Sequence, residues 1–142
     1  VHDQGAALLG GVGGHAGLFG TADDVAKMMQ MYLQKGYYGG TWYLQPQAIQ
    51  VFNTCNYCTE GNRRGLGFDK PQLGKAGPTC GCVPMESFGH TGFTGTFAWA
   101  DPINEIVVVF LSNRTYPSAE NKLLINKLIR QRVQEVVYKA GL

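Results

Sequence analysis

No stretch of this chain is apolar for long enough to cross a bilayer as a helix, which takes about 20 residues, so a membrane-spanning helix is excluded within it. Runs of like charge are also missing. Charged residues are 15% of the total, the net charge is +2 and Lys and Arg are scattered, so no basic stripe for nucleic acid is present. Arg63 and Arg64, beside Asn62, read as a solvated turn. There is no internal repeat and no low-complexity tract. Serine is scarce, occurring only at positions 87, 112 and 118. The chain opens on Val1 without a recognisable signal peptide, and the expectation is that it is cut from a longer protein. What is present, 142 residues that are 44% hydrophobic, fits one compact unit.

Glycine and short polar residues are concentrated in Phe88-Gly89-His90-Thr91-Gly92-Phe93-Thr94-Gly95-Thr96. An acyl-transfer site needs backbone N–H donors where negative charge develops, with imidazole and hydroxyl groups beside them. Glycines at 89, 92 and 95 would let a substrate lie against the main chain. The bland alternative is a glycine-bearing strand with an ordinary surface histidine. After it come an alternating run from Thr96 to Ala100, turn chemistry in Asp101-Pro102-Ile103-Asn104, and an apolar run from Glu105 to Ser112. These predict an antiparallel hairpin covered by helices on both faces. Ser118 offers a cap, and Leu124, Ile125, Leu128, Ile129, Val133, Val136 and Val137 predict a long C-terminal helix packed on that sheet.

Upstream, Thr21 and Asp24 make a variant capping box. Val25, Met28, Met29, Tyr32 and Leu33 follow at helical spacing as core residues, and Gly36 ends the helix. Leu44 to Phe52 reads as a short helix with Pro46 in its first turn, and Arg64 to Asp69 as a short strand. Gly11-Val12-Gly13-Gly14-His15-Ala16 satisfies a loose dinucleotide pattern. It lacks a preceding strand, a Walker lysine and an acidic ribose partner, so it reads as a flexible loop. Residues 70–85 are glycine- and proline-rich without a period and read as an irregular insertion.

The four cysteines form two tight pairs, Cys55-x-x-Cys58 and Cys80-x-Cys82. Folded together they could make a four-thiolate zinc site. Oxidised, they could form one disulfide within each pair or two crossing between pairs. Either role is structural and pins the insertion beside the strand carrying His90.

His90-Thr91-Gly92 resembles the third motif of the serine β-lactamase and penicillin-binding-protein superfamily, Lys-Thr-Gly or its His-Thr-Gly variant. The segment from Gly13 to Lys27 is similar to the region opening a helix in that superfamily, and Gly65-Leu66-Gly67-Phe68 resembles the strand before its third motif. The resemblance implies a partial fold of mixed α/β (α+β) class. It comprises an antiparallel sheet of about three strands, a helix over about 21–35, a cysteine-bearing insertion over about 53–85, and sheet plus closing helix over about 86–140. It implies hydrolysis of an ester, amide or β-lactam through an acyl-serine with no cofactor for catalysis, and the cysteine-held zinc stays open as a structural alternative to disulfides. Carried over by position, the Phe93 backbone N–H is an oxyanion donor, Thr91 holds a carboxylate or polar group, and His90 supplies electrostatics or proton transfer. Gly92 and His15 line the substrate cleft. The Ser-x-x-Lys nucleophile and the Tyr-x-Asn motif are absent, so the fragment is expected to be inactive alone and to need the missing N-terminal part of its protein. The periplasm or cell envelope of a bacterium is the implied location. The alternative is a non-catalytic, cysteine-stabilised binding module, with an exposed sheet edge suited to homo-oligomer pairing.

Overall fold

The computed structural model describes residues 1–72 and 77–141, so part of the expected insertion, 73–76, lies outside the described residues. In chain order it contains helices α1 (Gln4–Leu8) and α2 (Ala22–Leu33), strands β1 (Tyr37–Tyr38) and β2 (Thr41–Trp42), helix α3 (Pro46–Asn53) and a 3-10 turn (Cys58–Glu60). Strands β3 (Phe88–Thr91), β4 (Phe97–Asp101) and β5 (Ile106–Phe110) follow, then helices α4 (Leu123–Asn126) and α5 (Ile129–Gly141). Helix α1 and the tiny β1–β2 hairpin have too few residues to show a period.

Helix α2 starts where the sequence predicts. The Asp24 N–H donates to Thr21 Oγ1 at 3.2 Å while the Thr21 N–H donates to Asp24 Oδ2 at 2.9 Å, so two otherwise orphaned donors are satisfied. Lys35 and Gly36, both at positive φ, turn the chain out after its end. Met29 is buried, with Val25, Tyr32 and Leu33 packed around it. Met28, expected inside, is exposed because it falls off that stripe.

Strands β3, β4 and β5 form one antiparallel sheet in that order, pairing Phe88 with Ala100, His90 with Ala98 and Trp99 with Val108. The two-residue alternation assigns the faces. Phe88, Ala98, Ala100 and Val107 meet α2 on one side, and Phe97, Trp99, Ile106, Val108 and Phe110 fill the other. Helix α5 closes the second face, with its buried Tyr138 hydroxyl donating to Asp101 Oδ2 at 2.5 Å. The expected cover on both faces is present. The turn chemistry also holds, since Asp101 Oδ1 accepts from the Ile103 and Asn104 N–H groups at 2.9 and 3.1 Å.

Two expectations are corrected. The C-terminal helix is broken at Leu128, whose φ is +51°, and α4 begins at Leu123 after Asn121 rather than at Ser118. Its buried positions are Gln134 and Tyr138, while Val136 and Val137 face outward. Polar bonds select that face: Gln134 Oε1 accepts from the Cys80 N–H at 3.0 Å, and Tyr138 reaches Asp101. Residues 64–69 do not form a strand either. They double back so that Arg64 opposes Asp69, and Asp69 alone pairs with Gly89 of β3. Two glycines and a Gly65 N–H donating to the Phe68 carbonyl at 2.9 Å favour the turn.

Lys70 is 7% exposed, with Nζ donating to the Glu86 carbonyl at 2.7 Å. Burial outweighs the pull of the Glu86 carboxylate and pushes its ammonium from the usual 10.5 down to about 8. Between these values the unfolded chain holds a proton that the folded chain has lost, so stability rises with pH across that window. In urea unfolding, the wild type should gain about 2 kcal/mol relative to Lys70→Met between pH 8 and pH 10. Identical pH slopes for the two proteins would contradict this.

Candidate functional site

Strand β3 delivers His90 and Thr91 to its C-terminal end, and residues 92–96 turn the chain into β4. The turn is closed by the Gly92 N–H donating to the Thr96 carbonyl at 2.8 Å and the Gly95 N–H to the Gly92 carbonyl at 3.0 Å. No acceptor among the described residues pairs with the Phe93 N–H. Arg114 fixes the loop from outside. Its Nε donates to the Phe93 carbonyl at 2.8 Å, its Nη1 to the Ala119 and Asn121 carbonyls at 2.9 and 3.1 Å, and its guanidinium lies 4.6 Å from the Phe93 ring centre.

The glycines of this segment play a different part from the one predicted. A Cβ at Gly89 would lie 2.2 Å from the Ala98 carbonyl oxygen and 2.4 Å from the Trp99 ring, and one at Gly95 would lie 2.4 Å from Ser112 Oγ. The space is taken by the chain itself, not left for a substrate. Gly95 also has φ +99°, where a side chain is strained.

His90 is exposed but tethered. Its Nδ1 lies 2.8 Å from the Thr91 carbonyl oxygen and its Nε2 lies 3.1 Å from Arg64 Nη1. Arg64 Nε in turn lies 3.2 Å from Asp69 Oδ1, and Arg63 Nη1 lies 2.6 Å from Asp69 Oδ2, a carboxylate only 1% exposed. Arg64 therefore belongs to the site, which the reading as a solvated turn missed. The available signal was an acid five residues after an arginine across a Gly-x-Gly turn.

A groove of about 720 Å³ runs beside this end of the sheet, within the size range of small-molecule sites. Its lining brings together His15, His90, Thr91, Gly92 and Phe93, which are far apart in sequence. The opposite wall is the N-terminal segment. There Asp3 Oδ1 accepts from the Ala6 N–H at 2.7 Å and lies 2.9 Å from His15 Nε2. The Ala6 N–H, then His15, hold the Asp3 carboxyl below its usual range. The His2 ring stacks on Phe93 with centroids 5.8 Å apart.

Ser112 is the one serine lining the groove, and its hydroxyl is 3.4 Å from the Thr94 carbonyl oxygen. No base among the described residues bonds to it, so it is not an activated nucleophile. The chain also holds a Tyr-x-Ser triplet, Tyr116-Pro117-Ser118, a variant of the Tyr-x-Asn motif that the sequence reading passed over. It lies in a turn outside the groove, with Tyr116 exposed and Ser118 Oγ accepting from the Glu120 N–H at 3.2 Å.

The four cysteines form two disulfides, Cys55–Cys58 and Cys80–Cys82, the within-pair alternative. A sulfur bonded to sulfur has no thiolate to donate, so the four-thiolate zinc site is not formed in this state.

The β-lactamase family model, whose description is Beta-lactamase, matches residues 1–131, and the chain belongs to that family of serine hydrolases related to penicillin-binding proteins. It is 37% identical over 118 residues to a protein of Escherichia coli (strain K12) named "Putative D-alanyl-D-alanine carboxypeptidase", covering 82% of this chain and 27% of that protein. A protein of the same name from Salmonella enteritidis PT4 (strain P125109) is 36% identical over 123 residues, covering 85% of this chain and 28% of the relative. The chain thus spans little more than a quarter of the length of these relatives. The mixed helix and antiparallel-sheet architecture agrees with a partial fold of this kind.

Gly89→Ala should destabilise the chain by about 2 kcal/mol, since the added methyl must displace Trp99 or the β4 backbone. Thermal unfolding of the variant checks this. An unchanged melting temperature would show that the close approach is not real.

Proposed function

We propose that this chain is the C-terminal portion of a β-lactamase-like serine hydrolase that cleaves an ester, amide or β-lactam through an acyl-serine supplied from outside residues 1–142. The single observation that carries the reading is an uncommitted Phe93 N–H on a turn held by Arg114, beside His90 and Thr91 along one groove. A fixed donor is what a developing oxyanion needs, because it costs no reorganisation when charge forms. Thr91 would hold the substrate's carboxylate or another polar group, His90 would supply electrostatics or proton transfer, and Gly92 and His15 would line the cleft. The relatives' name favours a peptide ending in D-alanine as substrate. The bacterial periplasm or cell envelope suits that substrate.

The alternative is a non-catalytic module that pairs with another chain, including a second copy of itself. It draws on the outer edge of β5, which pairs with no strand among the described residues, and on the exposed Leu123, Ile125 and Val136.

Incubating the purified chain with a chromogenic ester and a fluorescent penicillin tests the division of labour. The expectation is no ester turnover and no acyl adduct in the intact mass. A stoichiometric adduct on any residue of the chain would overturn the claim that the nucleophile lies elsewhere.

A further inference from the structure

We infer that Arg64 is a positioning residue that holds His90 in one neutral tautomer, with the proton on Nδ1 and the lone pair on Nε2. A guanidinium has five donors and no acceptor, and a backbone carbonyl has only acceptor capacity. His90 lies between one of each, with Nε2 at 3.1 Å from Arg64 Nη1 and Nδ1 at 2.8 Å from the Thr91 carbonyl oxygen. Both contacts are hydrogen bonds only if Nε2 accepts and Nδ1–H donates. The other neutral tautomer sets a donor against a donor and an acceptor against an acceptor. The imidazolium meets the carbonyl correctly but directs its Nε2–H at a cation.

The guanidinium is held in place for this work. Its Nε lies 3.2 Å from Asp69 Oδ1, and the same carboxylate receives Arg63 at 2.6 Å. Asp69 cannot drift, because its N–H donates to the Gly89 carbonyl at 2.8 Å and its own carbonyl accepts from the Gly89 N–H at 3.1 Å. The Arg64 N–H is anchored too, donating to Asn62 Oδ1 at 3.2 Å. Thus the residue before His90 in β3 fixes the carboxylate that aims the arginine that orients the imidazole. The assignment adds to the proposed function a fixed division of charge: the permanent positive charge beside the imidazole resides on Arg64, and His90 offers a basic nitrogen.

Its significance for catalysis rests on that proposed function, but the test does not. The chain, labelled with ¹⁵N-histidine, is examined at neutral pH by long-range ¹H–¹⁵N correlation, which distinguishes protonated from unprotonated ring nitrogens. The signals of His2, His15 and His90 are assigned by single substitution of each histidine. The wild type should show His90 protonated at Nδ1 and unprotonated at Nε2. Arg64→Met keeps the aliphatic stem and removes the donors, and it should lower the ratio of Nδ1–H to Nε2–H forms about tenfold, the equivalent of about 1.4 kcal/mol. His15, which is paired with Asp3, should keep its pattern. An Nε2–H or doubly protonated His90 in the wild type, or an Arg64→Met spectrum with the His90 pattern unchanged, would overturn the assignment. Because the readout is a spectrum, acylation results cannot produce either outcome.

Discussion

The arrangement of the site depends on one buried carboxylate. Asp69 is almost wholly removed from water, and such a charge is tolerated only when paired and hydrogen-bonded. Arg63 and Arg64 supply the pairing, and Gly89 holds the backbone beneath it. Leaving that carboxylate without a counter-charge would strand a buried charge, which favours the path of residues 63–69 that brings both arginines to it. That path runs directly under β3. The cysteine-bearing insertion is thereby tied to the strand carrying the His-Thr-Gly motif, and Arg64 is brought against the His90 imidazole.

Charge in the groove follows from this arrangement. Aliphatic and aromatic packing on both faces of β3–β5 makes the sheet a stiff platform, with Trp99 buried and its indole N–H donating to Ser87 Oγ at 2.9 Å. A stiff platform lets one loop bond matter. Arg114 clamps the Phe93 carbonyl and its ring, and the Gly95 N–H holds the Gly92 carbonyl, which shares its peptide with the Phe93 N–H, so the orientation of that N–H is decided before any ligand arrives. Preorganised dipoles stabilise developing charge far better than dipoles that must rotate. Two arginines, Arg64 against the His90 imidazole and Arg114 against Phe93, thus flank a motif with little charge of its own. On the proposed function the groove would supply stabilisation and orientation, and the attacking oxygen would come from outside residues 1–142.

Much of the fold was legible in the sequence. Helix α2, the β4–β5 hairpin and helix α3 carry strong local signals: a reciprocal cap, an Asx turn before an apolar run, and a proline at the first helical turn. The candidate site was read from the family motif at His90, Thr91, Gly92 and Phe93, and the structure sets these residues along one groove with His15. Long-range pairing was less readable. Arg64 and Asp69 owe their roles to burial against β3, and their five-residue spacing across a Gly-x-Gly turn becomes informative only with that long-range pairing. Gln134 and Tyr138 turned α5 away from its more apolar stripe, because hydrogen bonds to Cys80 in the insertion and to Asp101 at the end of β4 outweigh a few valines left in water. Gly89 was read as an approach for substrate when its missing side chain is the space that Trp99 fills.

The central claim, that this chain is the charge-stabilising half of an acyl-enzyme site, is tested most directly by a chimera. The matched 118 residues of the Escherichia coli relative are replaced by their counterpart from this chain, and the folded product is treated with a fluorescent penicillin. The expected result is one covalent label on a serine outside the transplanted segment, formed much more slowly when His90 is replaced by alanine. Labelling within the transplanted segment, or an outside label formed at the same rate with and without the imidazole, would contradict the account.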